Sequence, residues 1–346
     1  QPVKTFSIGF EEEGYNEAEY AKEIAGHLGT DHQEFYVSAQ DAMDVIPKLP
    51  DIYDEPFADS SQIPTYLISN LARDQVTVVL TGDGGDEILG GYDRHVKIPP
   101  LWSRLSWLPI RLRRLICNVA VRIPNGFYQV LKPNNPLFPA QVKRALNLMQ
   151  YKSAEEVYNA LVMHWPTDVV LDAKELLSDL QDKERWPNGL SFAEEMIYGD
   201  MLSYRAHDLM VKTDRASMAV ALEARAPLMD YELAEYSWTL PPYMKVRNGQ
   251  GKWLLRQLLG RYVPKKLYDR PKMGFSVPIG AWLRGSLKPW GADLLSRERL
   301  EGQGLFNVDM IVDAWDEFQN SKTQDVPKHL WTALMFQAWY DRWIVK

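Results

Sequence analysis

Apolar and polar positions alternate over Lys4-Thr5-Phe6-Ser7-Ile8-Gly9-Phe10, the period of a strand, and an acidic turn follows. From Asn16 to Leu28 the apolar positions recur at helical spacing, and Glu34-Phe35-Tyr36-Val37 predicts a second strand. Asp41 to Leu49 and Thr65 to Arg73 predict helices. The β-branched run Val76-Thr77-Val78-Val79-Leu80 then predicts a buried strand. Strands that alternate with helices imply right-handed crossovers and a parallel sheet covered on both faces. Residues 1–100 therefore read as α/β. After Tyr92 tryptophan, arginine and long helical periodicities dominate, with Pro124, Pro133, Pro136 and Pro139 marking a broken connection. The rest reads as mostly helical, without internal repeats or low-complexity tracts.

Within that second part, Trp102 to Val130 mixes apolar residues with Arg104, Arg111, Arg113, Arg114 and Arg122, and Pro109 interrupts it. The pattern fits an interfacial amphipathic helix, but arginine stems commonly cover apolar surface, so packing against the same chain is the preferred expectation. No run of eighteen or more apolar residues predicts a spanning helix. The chain has 346 residues, 46% of them hydrophobic, enough for a large core. Its formal charge of −7 argues against general nucleic-acid binding, so any anionic ligand must be met by local cations. Cys117 is the single cysteine, which excludes an intrachain disulfide and a cysteine-rich zinc site and suits a reducing, cytoplasmic setting. Its neighbours Leu115-Ile116-Cys117-Asn118-Val119 predict a small buried apolar residue rather than a nucleophile. None of the six histidines has a metal-helix spacing, so zinc is not expected.

The strongest chemical signal is Thr81-Gly82-Asp83-Gly84-Gly85-Asp86-Glu87-Ile88-Leu89-Gly90-Gly91-Tyr92, an acidic glycine-rich turn at the end of the predicted strand. Glycine lets backbone amides approach a ligand closely, and open α/β sheets bind ligands at the carboxyl ends of their strands. Carboxylates placed there can hold Mg²⁺ against phosphates, so the turn predicts a nucleotide-and-metal loop rather than a plain helix cap.

Four segments in order carry a resemblance over most of the chain: Thr5 to Phe10 with Leu28-Gly29-Thr30-Asp31-His32; Asp54-Glu55-Pro56-Phe57-Ala58-Asp59; the turn at 81–92; and Val211 to Ala219, continuing through Glu223 to Asp230. With these the chain resembles the synthetase domain of glutamine-dependent asparagine synthetases. The resemblance implies a doubly wound parallel sheet of the adenine nucleotide alpha hydrolase type. Residues 1–100 would form its nucleotide-binding part and 101–346 a mostly helical part that completes the active site. It also implies the chemistry: ATP activates a side-chain carboxylate as an acyl-adenylate with release of pyrophosphate, and ammonia displaces AMP to give an amide.

By the same resemblance Asp86 holds Mg²⁺, Ile8 lies against adenine, and Thr81 and Gly82 meet the nucleotide. Asp83 falls where relatives often carry glutamate near the intermediate, and Tyr92 ends the Gly-Gly-Tyr segment; taken alone, Tyr92 is equally an aromatic anchor. The family pattern makes Lys252 a phosphate-binding lysine and Lys272 an intermediate-stabilising one, each a point charge that can follow developing negative charge. His207, Asp208, Lys212, Asp214 and Arg215 look like an acid-base cluster, yet Asp208 and Lys212 also have the spacing of an i,i+4 helix pair. The segment 207–230 is expected to be scaffold lining the cleft, with Arg225 and Asp230 bracing a turn.

The family's Ser-Gly-Gly-X-Asp-Ser loop and amino-terminal glutaminase domain do not occur in these residues. The expectation is therefore a carboxy-terminal piece of a longer amidotransferase, inactive by itself, whose ammonia comes from the glutaminase domain. L-Aspartate is the leading acceptor, and Asp59-Ser60-Ser61-Gln62 lies near where asparagine-making relatives place it. A sugar carboxylate or another acceptor, or a non-catalytic binding homologue, remains open. So does the oligomeric state, a homodimer included.

Overall fold

The computed structural model describes residues 1–10, 18–120, 122–123, 138–173, 186–269, 277–321 and 328–345. Strand β1 (Lys4–Phe10) lies parallel to β2 (Asp31–Val37), with Lys4 opposite Asp31 and Phe10 opposite Val37. Helix Ala18–Leu28 belongs to the crossover that a parallel pair requires. His32 joins the strands through its ring, Nδ1 lying 2.9 Å from the Thr5 hydroxyl and Nε2 3.1 Å from that of Ser7. The second parallel pair is β3 (Val78–Leu80) with β4 (Glu223–Arg225), extended by Thr81 N–H donating to Arg225 O at 2.8 Å.

Among the described residues these are two separate two-stranded sheets, not one continuous sheet. The run at 76–80 also departs from expectation. Its regular part is three residues long, and Val78 and Leu80 are 48% and 74% exposed, so the strand is not buried. β-Branched composition predicts extended backbone but not how many neighbours cover it. β3 has β4 along one edge and no other paired strand among the described residues. Both sheets nevertheless share support: helix Gln62–Arg73 packs on β1, and helix Met210–Met218 packs on both Gln62–Arg73 and β4. Lys4 at the start of β1 donates to Gln75 just ahead of β3 at 3.2 Å.

The main core joins Ile8, Phe10 and Val37 of the first sheet to Ile63, to Trp282 and Leu283, and to Trp315, Trp331 and Leu334 of the carboxy-terminal helices Val308–Asn320 and Lys328–Tyr340. The chain is thus α/β at its amino-terminal end and helix-rich beyond it. Pro109 separates helix Asp93–Leu105 from Ile110–Ala120, as its position predicts, and Cys117 is buried against Leu146 and Met149. Packing on the same chain covers one side of Ile110–Ala120, while Leu115 and Val119 stay exposed. No helix among the described residues is long and apolar enough to cross a membrane.

A buried charge network fixes the segment that follows the acidic loop. Asp200, fully buried on helix Phe192–Leu202, accepts from Arg94 Nε and Nη2 at 2.9 and 2.6 Å and from Tyr158 at 2.9 Å, and sits 2.6 Å from His95 Nε2. Burial works against its charge, yet His95 and Arg94 hold the carboxyl below its ordinary range. Asp200→Ala should leave the Arg94 guanidinium and the buried His95 ring without their acceptor and destabilise the fold by about 3 kcal/mol. Urea unfolding of wild type and variant measures this, and an unchanged midpoint would contradict it.

Candidate functional site

Leu80 ends β3 and the chain turns through Thr81-Gly82-Asp83-Gly84 into the one-turn helix Gly85–Leu89. Gly84 turns at φ 100°, and a Cβ there would lie 2.8 Å from Leu228 O, so the turn admits no side chain. Gly90 closes the helix at φ 65°. At Gly91 the constraint is steric: an added Cβ would stand 1.7 Å from Asp86 Oδ1. At Gly251 a Cβ would lie 2.3 Å from Gly90 O. These close approaches bring two distant segments together. Lys252 N–H donates to Leu89 O at 3.1 Å, and Lys252 Nζ forms an ion pair with Asp86 Oδ1 at 2.9 Å. Lys252 sits in the left-handed region at φ 51°, an uncommon conformation for a residue with a side chain, immediately before helix Trp253–Leu259.

The other loop residues are held as follows. Asp83 Oδ2 accepts from the hydroxyls of Thr81 at 3.0 Å and Thr213 at 3.1 Å, which ties the loop to helix Met210–Met218. Thr81 therefore spends its amide on β4 and its hydroxyl hydrogen on Asp83, whereas Gly82 is exposed and has no atom within 4 Å of a would-be Cβ. Tyr92 donates to Glu87 Oε1 and meets Tyr204 edge-on at 5.6 Å, with the Arg94 guanidinium 4.2 Å from its ring centre. Burial pushes the Glu87 carboxyl above its usual range, and burial together with Glu87 pushes the Tyr92 phenol up. Ile8 lies in the other sheet, 6% exposed within the main core. Lys272 lies outside the described residues.

Beside the loop stands a second polar group. Asp59 accepts from Ser61 N–H at 2.9 Å, from the Ser61 hydroxyl at 2.8 Å and from Lys212 Nζ at 3.0 Å; Lys212, buried, also donates to the Ser61 hydroxyl at 2.8 Å. Lys212 thus pairs across the fold with Asp59 and not with Asp208 one helical turn away. The reason is local: Arg205–Leu209 is π-helical, so the i,i+4 geometry assumed for Asp208 and Lys212 does not run through this segment. Burial, then the neighbouring Asp59, raises the Asp208 carboxyl to about 8. Asp230 caps helix Tyr231–Thr239 by accepting from Glu232 and Leu233 N–H at 2.9 and 3.3 Å, and Arg225 pairs with Glu223 at 3.3 Å.

The structure therefore joins Asp86 to Lys252 and Thr81 to Asp83, and places Tyr92 on Glu87. Sequence reasoning passed over Glu87, Thr213 and Tyr204 as site residues, and named Asp59 only within the segment expected near the acceptor. Only Glu87 carried a local signal, as the second acid of Asp86-Glu87. Among the described residues no cluster of three or more histidine, cysteine, aspartate or glutamate side chains could hold a metal alone. Asp86 is a hard oxygen donor at an open, cation-facing loop. That donor set suits Mg²⁺, which keeps waters and takes one or two carboxylates together with substrate phosphates.

A family model described as asparagine synthase matches residues 1–341. Over 341 residues the chain is 28% identical to glutamine-hydrolyzing asparagine synthetase 1 of Bacillus subtilis, covering 98% of this chain and 52% of that protein. It is 30% identical over 341 residues to a putative glutamine-hydrolyzing asparagine synthetase of Mycobacterium tuberculosis, covering 97% and 50%. Over 338 residues it is 23% identical to amidase chyE of Penicillium rubens, covering 90% and 49%. The chain spans about half the length of the curated relatives it matches.

Gly91→Ala should displace the Asp86 carboxylate and cost about 1–3 kcal/mol, whereas Gly82→Ala should stay within about 0.5 kcal/mol of wild type by thermal or urea unfolding. Equal costs would show that Asp86 does not pack on Gly91. For Asp208 the sign follows from its folded value of about 8 against an ordinary 3.8. Between those values the folded state holds a proton the unfolded state has lost, so its contribution to stability falls as pH rises and levels off above about 8. The stability difference Asp208→Asn minus wild type should grow over that window in urea titrations, and a flat difference would refute the assignment.

Proposed function

The chain belongs to the asparagine synthase family, and on that premise we propose that it is the synthetase part of an ATP-dependent amide-forming ligase acting on L-aspartate with ammonia released from glutamine. The observation that carries the reading is the Asp86–Lys252 pair at 2.9 Å, an acid and a base brought together on a glycine-built loop at the end of a parallel strand. In the reaction proposed, an aspartate side-chain oxygen attacks the α-phosphorus of ATP. The bond to the bridging oxygen of the β-phosphate breaks, pyrophosphate leaves, and an acyl-adenylate remains. The ammonia lone pair then adds to the acyl carbon, AMP leaves with the C–O bonding electrons, and loss of a proton gives the amide.

Each candidate residue has a task in this scheme. Lys252 contributes a fixed positive charge to the departing pyrophosphate, and a pre-placed charge needs little reorganisation when the bond breaks. Asp86 would hold Mg²⁺, whose chemistry is to neutralise phosphate oxygens so that a carboxylate can approach them. Gly82 and Thr81 line the nucleotide, Gly82 through open backbone and Thr81 through its hydroxyl oxygen, and Ile8 is assigned to the adenine side. Asp83, fixed by two threonine hydroxyls, orients the incoming amine or ammonia. Tyr92 lends its phenol, tied to Glu87, to the acyl-transfer region. Lys272 is assigned to the intermediate.

The same reading makes the two parallel pairs halves of one doubly wound sheet. Their shared helices and the Lys4–Gln75 bond support this. Residues 1–346 are read as one synthetase-type unit requiring the remainder of the protein for glutamine-driven turnover. The full-length enzyme should release pyrophosphate from ATP with Mg²⁺ and L-aspartate, and Lys252→Ala should lower the rate by about a hundredfold. Release with a different carboxylate and not aspartate would transfer the proposal to that acceptor; no release with any carboxylate would overturn it.

A further inference from the structure

Helix Ile110–Ala120 carries two apolar stripes, and the fold covers one of them. Ile110, Arg113, Cys117 and Ala120 share one side at helical spacing, and Cys117 packs there on Leu146 and Met149. Leu112, Leu115, Ile116 and Val119 form the other stripe at i, i+3, i+4 and i+7. These four are between 37% and 60% exposed, and Trp107, just ahead of the helix, is 74% exposed. Single exposed apolar residues are ordinary, but a continuous ridge of four beside a tryptophan marks a contact surface.

The charge along this part of the chain is as lopsided as its apolar pattern. From Arg94 to Lys152 the sequence holds eleven lysines and arginines and no aspartate or glutamate, within a protein of net charge −7. Two of these cations serve the fold. Arg94 binds Asp200, and the buried Arg113 donates to Leu108 O and Tyr151 O at 3.0 and 2.8 Å with its guanidinium 5.0 Å from the ring centre of Trp102. Arg104, Arg111 and Arg114 are exposed instead, and they form no ion pair among the described residues. At 100° per residue Arg111 and Arg114 follow one margin of the exposed ridge.

Whatever covers this face must offer hydrocarbon and negative charge side by side. An anionic lipid surface does so: the acyl boundary takes the aliphatic side chains, headgroups take the guanidinium groups, and tryptophan settles between the two. A second copy of this chain would bring the same basic margin against itself. Nucleic acid supplies phosphates but no hydrocarbon for the ridge. Eleven residues of helix span about 16 Å, too short to cross a bilayer and enough to lie along one. We propose that helix Ile110–Ala120 docks in the plane of an anionic membrane surface, with Leu112, Leu115, Ile116 and Val119 entering the acyl boundary and Arg111 and Arg114 on the headgroups. This surface stands apart from the amide-forming reading and rests on no part of it.

Co-sedimentation of the full-length protein with lipid vesicles tests the proposal, comparing phosphatidylcholine alone with phosphatidylcholine containing about one-third phosphatidylserine. Wild type should bind the anionic vesicles saturably, bind the neutral ones about tenfold less, and leave the vesicles as salt is raised, because ionic strength screens the arginines. Arg111→Gln with Arg114→Gln, and separately Leu115→Asn with Val119→Asn, should each weaken binding about tenfold or more. All four positions are exposed, and an unchanged urea midpoint for either pair separates lost docking from lost fold. Wild type that stays in solution with anionic vesicles would overturn the proposal, as would equal binding by wild type and both paired variants. Light scattering adds a further outcome: a dimer or soluble complex that Leu115→Asn with Val119→Asn breaks apart, without vesicle binding by wild type, would give the ridge to a protein partner and overturn lipid docking.

Discussion

The close stacking of Gly90, Gly91 and Gly251 is the constraint on which the candidate site depends. Side chains at these positions would meet Val246, Asp86 and the Gly90 carbonyl at 2.9, 1.7 and 2.3 Å. Because they are absent, the helix carrying Asp86 and the segment carrying Lys252 approach closely enough for a backbone hydrogen bond and an ion pair side by side. One residue comes from the α/β part and the other from the helical part. The site is therefore a product of their packing, and neither part contains it alone. The left-handed backbone of Lys252 persists because that packing over-determines it.

Much of the architecture was legible in the sequence. The two opening strands, the helix between them and the acidic turn all carry strong local signals, namely alternation, helical period and glycine. What escaped was set by neighbours. Val76 to Leu80 has the composition of a buried strand, but burial belongs to whatever lies on either side, and among the described residues β3 is paired along one edge. Asp208 and Lys212 have the spacing of a helical pair, but the π-helical turn and the distant Asp59 decide where Lys212 points. Lys245, at the end of helix Pro242–Lys245, is buried against Trp238, a neighbour its local sequence does not show.

Tertiary context also explains why the acids around the loop behave differently. Asp83 is satisfied by two hydroxyls, Asp86 by an ammonium, and Glu87 by one phenol in a buried setting where its carboxyl is pushed up. Three carboxylates within five residues would repel one another if all were charged and adjacent. The short helix turns Glu87 inward and Asp86 toward Lys252, which separates the two carboxylates within one turn.

A chain with an excess of acids that is to bind a polyanion must place its cations with care. Arg94 is spent on Asp200 and Lys212 on Asp59, pairs that shape the walls. Lys252, 29% exposed at its side chain, forms its ion pair with a single carboxylate oxygen. An ammonium has three donors, so a bond to Asp86 fixes its position while further donors can reach a phosphate. Asp86 then acts on Lys252 as an orienting partner as well as a ligand candidate in its own right. On the function proposed, the ion pair would be the resting form of the phosphate site, and pre-placement, rather than a larger number of basic residues, would let an acidic protein hold a triphosphate.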